Sequence, residues 1–285
     1  MEAKTGEAAA LRALTAADLS AAQALTESFG WPYRVEDCAF MLRMGSGVVA
    51  ERHGVLTGMA LGWPYGAAHG CIGMIGVSPA AQGQGLGRLV TQAVMDGLGE
   101  RVLVLHATEV ALKLYRSLGF RATGMVRQHQ GAAFRGGLIA LPAGDRLRPV
   151  GRSDPKALAA LDRVACGMDR ARLLAALAEE ATGVVLDRGG KPAGFALMRR
   201  FGRGHVVGPV VAPDETSAKA LILHFLGLHS GQFIRIDVPD EAGLSSWLDE
   251  LGLADVGPAI RMVRGEDPAR PGPVRRYALA SQSFG

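Results

Sequence analysis

Val77-Ser78-Pro79-Ala80-Ala81-Gln82-Gly83-Gln84-Gly85-Leu86-Gly87-Arg88 is the stretch on which the reading of this chain turns. A strand ends at Ser78-Pro79, a glycine-rich turn follows, and an amphipathic helix begins. Leu86, Leu89, Val90, Ala93 and Val94 recur there at i, i+3, i+4 spacing. Glycines at three alternate positions ahead of a helix leave backbone N–H groups uncovered, and the helix dipole adds partial positive charge, so the turn suits a diphosphate. Two familiar phosphate loops do not fit. A dinucleotide fingerprint needs its third glycine where Arg88 stands, and no ribose-binding carboxylate follows at the expected distance. A P-loop ends in Gly-Lys-Ser/Thr, which the chain lacks.

What remains is Gln82-x-x-Gly85-x-Gly87 after a strand and opening a helix. Further on, Leu103-Val104-Leu105-His106 reads as a buried strand. Thr108 to Leu118 then reads as a helix with Ala111, Leu114, Tyr115 and Leu118 on one face, closed by Gly119. The loop resembles the Gln/Arg-x-x-Gly-x-Gly/Ala motif of the GNAT superfamily of N-acetyltransferases. The run Ala111-Leu112-Lys113-Leu114-Tyr115-Arg116-Ser117-Leu118-Gly119-Phe120 is similar to that family's Ala-x-x-Leu-Tyr-x-x-x-Gly-Phe. Both motifs stand in the family's order.

The chain also repeats itself. Gly47-Val48-Val49-Ala50-Glu51-Arg52 matches Gly183-Val184-Val185-Leu186-Asp187-Arg188, and Gly58-Met59-Ala60-Leu61 matches Gly194-Phe195-Ala196-Leu197, both 136 residues on. Leu11-Arg12 and Asp18 match Leu147-Arg148 and Asp154 at the same offset. Val77-Ser78-Pro79 matches Val211-Ala212-Pro213, and Leu118-Gly119-Phe120 matches Leu251-Gly252-Leu253, at offsets of 134 and 133. Ordered pairs with slowly drifting spacing indicate a duplicated fold. The expected fold class is α/β (α+β): two tandem GNAT-like domains, residues 1–143 and 144–285, joined at Leu141-Pro142-Ala143-Gly144-Asp145. Each is expected to be a mostly antiparallel mixed sheet flanked by helices, with a splayed central strand and a last strand pair. In register with residues 82–87 the second half reads Thr216-Ser217-Ala218-Lys219-Ala220-Leu221, where Lys219 and Leu221 would fill the space a diphosphate needs. Leu248 replaces Tyr115. Only the first half is therefore expected to bind coenzyme; the second is degenerate and either walls the acceptor site or carries a homodimer contact.

Composition narrows the partners. Net charge is +4, split evenly at Arg146, and no dense Lys/Arg tract or aromatic–basic interleaving accompanies it, so nucleic acid is not expected. Apolar runs fall short of the ~18 residues of a membrane helix, so no membrane is expected either. Met1-Glu2-Ala3-Lys4 does not resemble a signal peptide. Cys38, Cys71 and Cys166 are few, odd in number and far apart, which gives no metal pattern, argues against a disulfide framework and fits a cytoplasmic protein.

The resemblance implies acetyl-CoA as co-substrate, no metal, and acetyl transfer to a primary amine by direct attack in a ternary complex. It places pantetheine along Met74, Ile75, Gly76 and Val77, and diphosphate on Gln82, Gly83, Gln84, Gly85, Leu86, Gly87 and Arg88. Tyr115, protonated at neutral pH with a reference pKa near ~10, serves as general acid for the departing thiolate; a core tyrosine is its other reading. His106 is the candidate base, although a lone histidine at a strand end is more often structural. Thr108 stands where relatives frequently have Asn and orients coenzyme, substrate or a water. Trp31, Tyr33, Trp63 and His129 are candidates for the acceptor pocket, with domain packing as the alternative. A small-molecule amine is the leading acceptor. Protein lysine or N-terminal acetylation and a non-catalytic acyl-CoA sensor are the competing readings.

Overall fold

A computed structural model of the chain describes residues 9–132, 137–270 and 272–285; Met1-Glu2-Ala3-Lys4 and part of the expected late strand pair of the first half lie outside these residues. The chain forms two compact units, one of residues up to Pro64 with Ile72–Glu100, the other of Tyr65–Cys71 with Arg101–Gly285. Sequence repeats and spatial units do not coincide.

The first unit orders its strands β1 (Ala10–Ala13), β2 (Ser46–Arg52), β3 (Val55–Tyr65) and β4 (His69–Val77). β1, β2 and β3 pair antiparallel, with Val49 opposite Met59. His53 and Gly54 turn the β2–β3 hairpin with φ of +50° and +76°, the conformation a tight two-residue hairpin demands. Three helices join them: α1 (Leu19–Glu27), α2 (Val35–Met44) and α3 (Leu86–Leu98). α3 buries Leu86, Val90, Val94 and Leu98, one residue per turn, and ends at Gly99 with φ of +66°. A side chain at Gly62 would collide with Val94, so α3 lies tight against β3.

The second unit carries β5 (Val102–Ala107), α4 (Leu112–Ser117), β6 (Arg121–Ala132), β7 (Asp145–Pro149), α5 (Pro155–Cys166), α6 (Ala171–Glu180), β8 (Thr182–Arg188), β9 (Lys191–Phe201), β10 (Gly204–Ala212), α7 (Glu215–Leu228), β11 (Phe233–Pro239), α8 (Ser245–Glu250), β12 (Ala254–Arg264) and β13 (Arg275–Ala278). Its strands run β5-β12-β6-β11-β10-β9-β8-β7, and His69–Cys71 of β4 pair parallel with Val102–Val104 on β5. The other parallel ladder is β10–β11; the remaining pairings described in this unit are antiparallel. The expected late strand pair is corrected here. β6 finds its neighbour not within the first repeat but in β12 of the second, with Val126 opposite Ala259. Those two residues are themselves 133 apart, the offset that also relates Leu118-Gly119-Phe120 to Leu251-Gly252-Leu253.

β10 and β11 pair only over His205↔Ile234 and Val206↔Arg235 and then part. β13 enters the wedge, pairing antiparallel with Val210–Ala212 of β10, and the N–H of Leu279 donates to the Asp237 carbonyl at 2.8 Å. The core beneath is Val210, Leu221, Phe225, Ile236, Leu248 and Tyr277, all at most 1% exposed.

The duplication reaches individual ion pairs. Arg12 binds Asp18 through two hydrogen bonds of 2.8 Å and Glu51 through a third of the same length. Arg148 binds Asp154 at 2.6 and 2.9 Å and Asp187 at 2.8 Å, with each residue 136 positions later. Asp18 also accepts from the Thr15 N–H, and Asp154 from the Gly151 N–H, so each carboxylate ties a strand to the helix that follows. Among the described residues no helix is long and apolar enough to cross a membrane, and no group of three His, Cys, Asp or Glu is placed to hold a metal ion.

Hydrogen bonds from Arg148 hold the Asp154 carboxyl below its ordinary value of 3.8. Its folded pKa is depressed, so its contribution is complete above pH 3.8 and is lost as pH falls through the lowered folded value. Replacing Asp154 by Ala should cost about 2 kcal/mol at pH 7. Urea unfolding at neutral pH and at successively lower pH should show that difference shrinking on acidification; a gap independent of pH would contradict the assignment.

Candidate active site

In the first unit the glycine loop connects β4 to α3. Pro79–Ala81 form one 3-10 turn. The Gln82 amide then folds back to donate to the Val77 carbonyl at 3.1 Å, while the Gln84 side-chain oxygen accepts from Arg52. Gly83 and Gly85 have φ of +75° and +80°, a region costly for any residue with a Cβ, and a Cβ on either would meet nothing within 4 Å. The backbone therefore requires both glycines, and the space above them is open. Gly85 caps α3 with no side-chain hydrogen bond, so the first N–H groups of the helix, at Leu86 and Gly87, find no acceptor at the cap. Uncapped N–H groups beneath open space at the start of a 13-residue helix are what a phosphate group needs.

Leading into the loop, Met74 has φ of +53°, an irregularity in β4 ahead of Ile75, Gly76 and Val77. A side chain on Gly76 would run into the Phe29 ring, so packing dictates that glycine.

The corresponding place in the second unit is closed. β10 ends at Ala212 and α7 begins at Glu215, so two residues stand where the first half has eight. Asp214 caps α7, its carboxylate accepting the Ser217 N–H at 2.8 Å. A carboxylate of the chain thus occupies the charge position that the first half leaves free. The expected filling of a diphosphate space by Lys219 and Leu221 is corrected here. Residues 216–221 lie inside α7; Leu221 packs in the core and Lys219 pairs with Glu215 over the Trp247 ring. Loop deletion and a built-in anion, not side-chain bulk, distinguish the second helix. β13, seated between β10 and β11, also takes the edge that an extended ligand chain would use.

Tyr115, His106 and Thr108 belong to the second unit. Tyr115 lies on α4, 5% exposed, with its ring edge-on to Phe120 at 6.2 Å. Burial pushes its phenol pKa above the ordinary 10, so it is protonated at neutral pH. The Tyr115 carbonyl accepts the N–H groups of Leu118 and Phe120, and the Leu248 carbonyl accepts those of Leu251 and Leu253. Backbone equivalence therefore holds although the phenol is lost. Thr108 is exposed and precedes the short turn Glu109–Ala111, its carbonyl accepting the Ala111 N–H at 3.0 Å.

His106 sits opposite Arg261 of β12. Its Nδ1 lies 2.8 Å from the Gln282 carbonyl, which only accepts, so the proton is on Nδ1 and Nε2 carries a lone pair. Nε2 is buried and meets no hydrogen-bond partner. Burial and the nearby Arg276 charge push the imidazole pKa down to about 3, so the ring is neutral.

The four aromatic and histidine candidates for the acceptor pocket separate. In the first unit Trp31 and Tyr33 form an edge-to-face series with Phe29, and Trp31 is half-buried. Trp63 is 1% exposed and its indole N–H donates to the Met41 carbonyl at 2.9 Å, which is a packing role. In the second unit His129 is fully buried, with Nδ1 2.8 Å from the Leu253 carbonyl and Nε2 3.0 Å from the Ser245 hydroxyl. Both nitrogens are used inside the fold, so His129 fastens the chain around α8 to β6 rather than lining an open pocket. Sequence reasoning missed the polar surroundings of His106: Arg261, Arg276, Asp237 and Gln282. Their only trace in the sequence is polar residues set within apolar late strands.

Comparison with known proteins gives the family. Residues 12–120 match the model described as Acetyltransferase (GNAT) family, and residues 158–277 match that described as Acetyltransferase (GNAT) domain. The N-acetyltransferase YitH of Bacillus subtilis (strain 168), itself uncharacterized, is 31% identical over 219 residues, covering 75% of this chain and 76% of that one. A solved structure from Pyrococcus horikoshii superposes with a TM-score of 0.81 over 100% of this chain and 99% of that one, at 20% identity. A tandem GNAT protein from the clavulanic acid biosynthesis pathway superposes with a TM-score of 0.64 over 90% of this chain and 99% of that one, at 13% identity. Two family matches in tandem, on a fold whose paired repeats agree down to single ion pairs, place this chain in the GNAT family of N-acetyltransferases.

Proposed function

We propose that this protein transfers an acetyl group from acetyl-CoA to the primary amine of a small molecule, with coenzyme bound by the first repeat alone. The observation that carries this reading is the contrast between two helix starts. α3 opens with bare N–H groups behind Gly83 and Gly85, whereas α7 opens on the carboxylate of Asp214. One repeat has room for a diphosphate and the other supplies its own negative charge.

Acetyl-CoA contributes the activated acyl carbonyl; the protein's residues manage the amine and the protons. N–H groups of residues 83–88 bind the diphosphate, with Ile75, Gly76 and Val77 lining the path of the pantetheine. A backbone N–H near the irregularity at Met74 is the donor for the carbonyl oxygen as charge develops there. A free amine with pKa ~10.4 is mostly protonated at neutral pH. His106 Nε2, a neutral acceptor with no partner in the fold, takes a hydrogen bond from the amine once it is deprotonated. With a pKa near 3, His106 positions the amine rather than removing a proton from an ammonium ion. Tyr115, kept protonated by burial, gives its proton to the departing sulfur. The proton that the attacking nitrogen sheds as the amide forms returns to the Tyr115 oxygen, so the thiol leaves and the phenol is restored.

Three measurements test this. Tyr115→Phe should lower kcat by about 100-fold with little change in KM for acetyl-CoA; unchanged turnover rejects the acid role. Isothermal titration should give one coenzyme per chain, and Gly85→Ala, which forces a Cβ into φ of +80°, should weaken binding by about tenfold. Two coenzymes per chain would end the assignment to the first repeat. Rate should rise with pH as the amine deprotonates, with no limb near 6.5, because His106 is already neutral; a limb there that disappears in His106→Gln would contradict the role given to it.

A further inference from the structure

We infer that the acceptor carries, besides its amine, an anionic oxyacid group, carboxylate or phosphate, which Arg276 receives beside His106. The inference rests on the N-acetyltransferase reading and adds the chemical class of the acceptor.

Three other arginines of the second unit, Arg170, Arg261 and Arg270, lie close enough to Arg276 to act on its charge, which makes a group of four. Three of them have carboxylates. Arg170 is bound to Asp162 at 2.6 and 2.9 Å, Arg261 to Asp267 at 2.7 and 2.9 Å, and Arg270 to Glu241 at 3.2 Å. The Arg276 side chain has no ion pair and no hydrogen bond among the described residues, and its Nη1 is buried without a partner. A buried guanidinium nitrogen left unsatisfied is costly, and a water, an ion or a ligand is what satisfies such a group. Burial and the neighbouring Arg170 depress its pKa to about 10, which leaves it charged at neutral pH and uncompensated.

Its neighbours fit the same purpose. His106 Nε2 is the complementary orphan, a buried acceptor with nothing to accept from, within reach of the Arg276 charge. Arg261, opposite His106 on β12, already has its charge paired with Asp267 and its Nη1 on the Thr123 hydroxyl, although its Nε is buried without a partner. Ser281, next to the residue whose carbonyl fixes His106, has a third buried and unpartnered polar atom. A cation, a neutral nitrogen acceptor and a hydroxyl left unsatisfied in one region match a molecule bearing both an amine and an acid group. An anion on Arg276 would also relieve the positive field now felt at His106.

The test compares matched acceptors with the full-length protein and acetyl-CoA: L-amino acids against their carboxamides, and O-phosphoethanolamine against ethanolamine. Wild-type kcat/KM should favour one anionic series over its neutral partner by about 30-fold or more. Which series it favours distinguishes carboxylate from phosphate. Arg276→Met should collapse that ratio to within a few-fold of unity, and Arg276→Lys should restore part of it. Independently of turnover, the favoured anionic amine should raise the Tm of the wild type and not that of Arg276→Met. Should Arg276→Met fail to fold, the wild-type ratio alone decides. Equal rates for charged and neutral acceptors would overturn the inference while leaving the acetyltransferase reading intact. Transfer to none of these amines, with no acetyl-CoA binding, would remove that reading and this inference with it.

Discussion

The antiparallel ladder between β6 and β12 is the constraint on which the second unit is built. Val126 faces Ala259, its own counterpart in the repeat, so corresponding late strands of the two repeats are hydrogen-bonded to each other. Each repeat lends its late strand to the other: β12 covers β5, and β6 covers β11. A strand withdrawn from this ladder would leave two rows of backbone groups unpaired, so the late part of the first repeat cannot be finished without the second.

That ladder also brings duplicated positions together and lets them diverge. Arg261 faces His106 across one flank, and Gln128, the counterpart of Arg261, faces Asp237 across the other. His106 and Asp237 are therefore equivalent by descent, and Gln282 touches both. Its carbonyl lies 2.8 Å from the imidazole Nδ1, and its amide donates to the Asp237 carboxylate at 3.1 Å. The segment that carries Gln282 is held from several sides. Tyr65 donates to the Phe284 carbonyl, Cys71 to the Ser283 carbonyl, and Arg170, bound to Asp162 with neither side chain exposed, to the Gly285 carbonyl. The same segment, through β13, fills the wedge of the second repeat. One piece of chain thus fills the wedge between β10 and β11 and fixes the tautomer of His106 on β5.

Much of the local structure was legible because it follows from short-range physics. Hairpin turns at His53-Gly54 and Gly189-Gly190 have the positive φ values their residues allow, and α3 has one buried apolar residue per turn. The glycine loop reads correctly because positive φ at Gly83 and Gly85 is a property of the backbone alone. The repeat was legible too, since Arg12, Asp18 and Glu51 and their counterparts are kept as a working triad. Less legible were residues whose meaning depends on distant partners. Trp63 and His129 carry the same chemistry whether they line a pocket or satisfy a backbone carbonyl deep in the fold, and nothing nearby in the chain distinguishes the two.

By itself, the sequence determined that this is a tandem GNAT chain, that its first copy has a glycine-rich turn opening a helix, and that its second copy lacks those glycines and the tyrosine. Local periodicity, turn chemistry and duplicated spacing suffice for those conclusions because each depends on residues within a few turns of one another. Tertiary structure alone decided that late strands are exchanged, that Asp214 and β13 close the second copy, and that, of the four neighbouring arginines Arg170, Arg261, Arg270 and Arg276, the last has no carboxylate among the described residues. Those facts depend on which strand is hydrogen-bonded to which and on which charge is balanced by which. Pairing and charge balance join residues more than a hundred positions apart, where no spacing rule reaches.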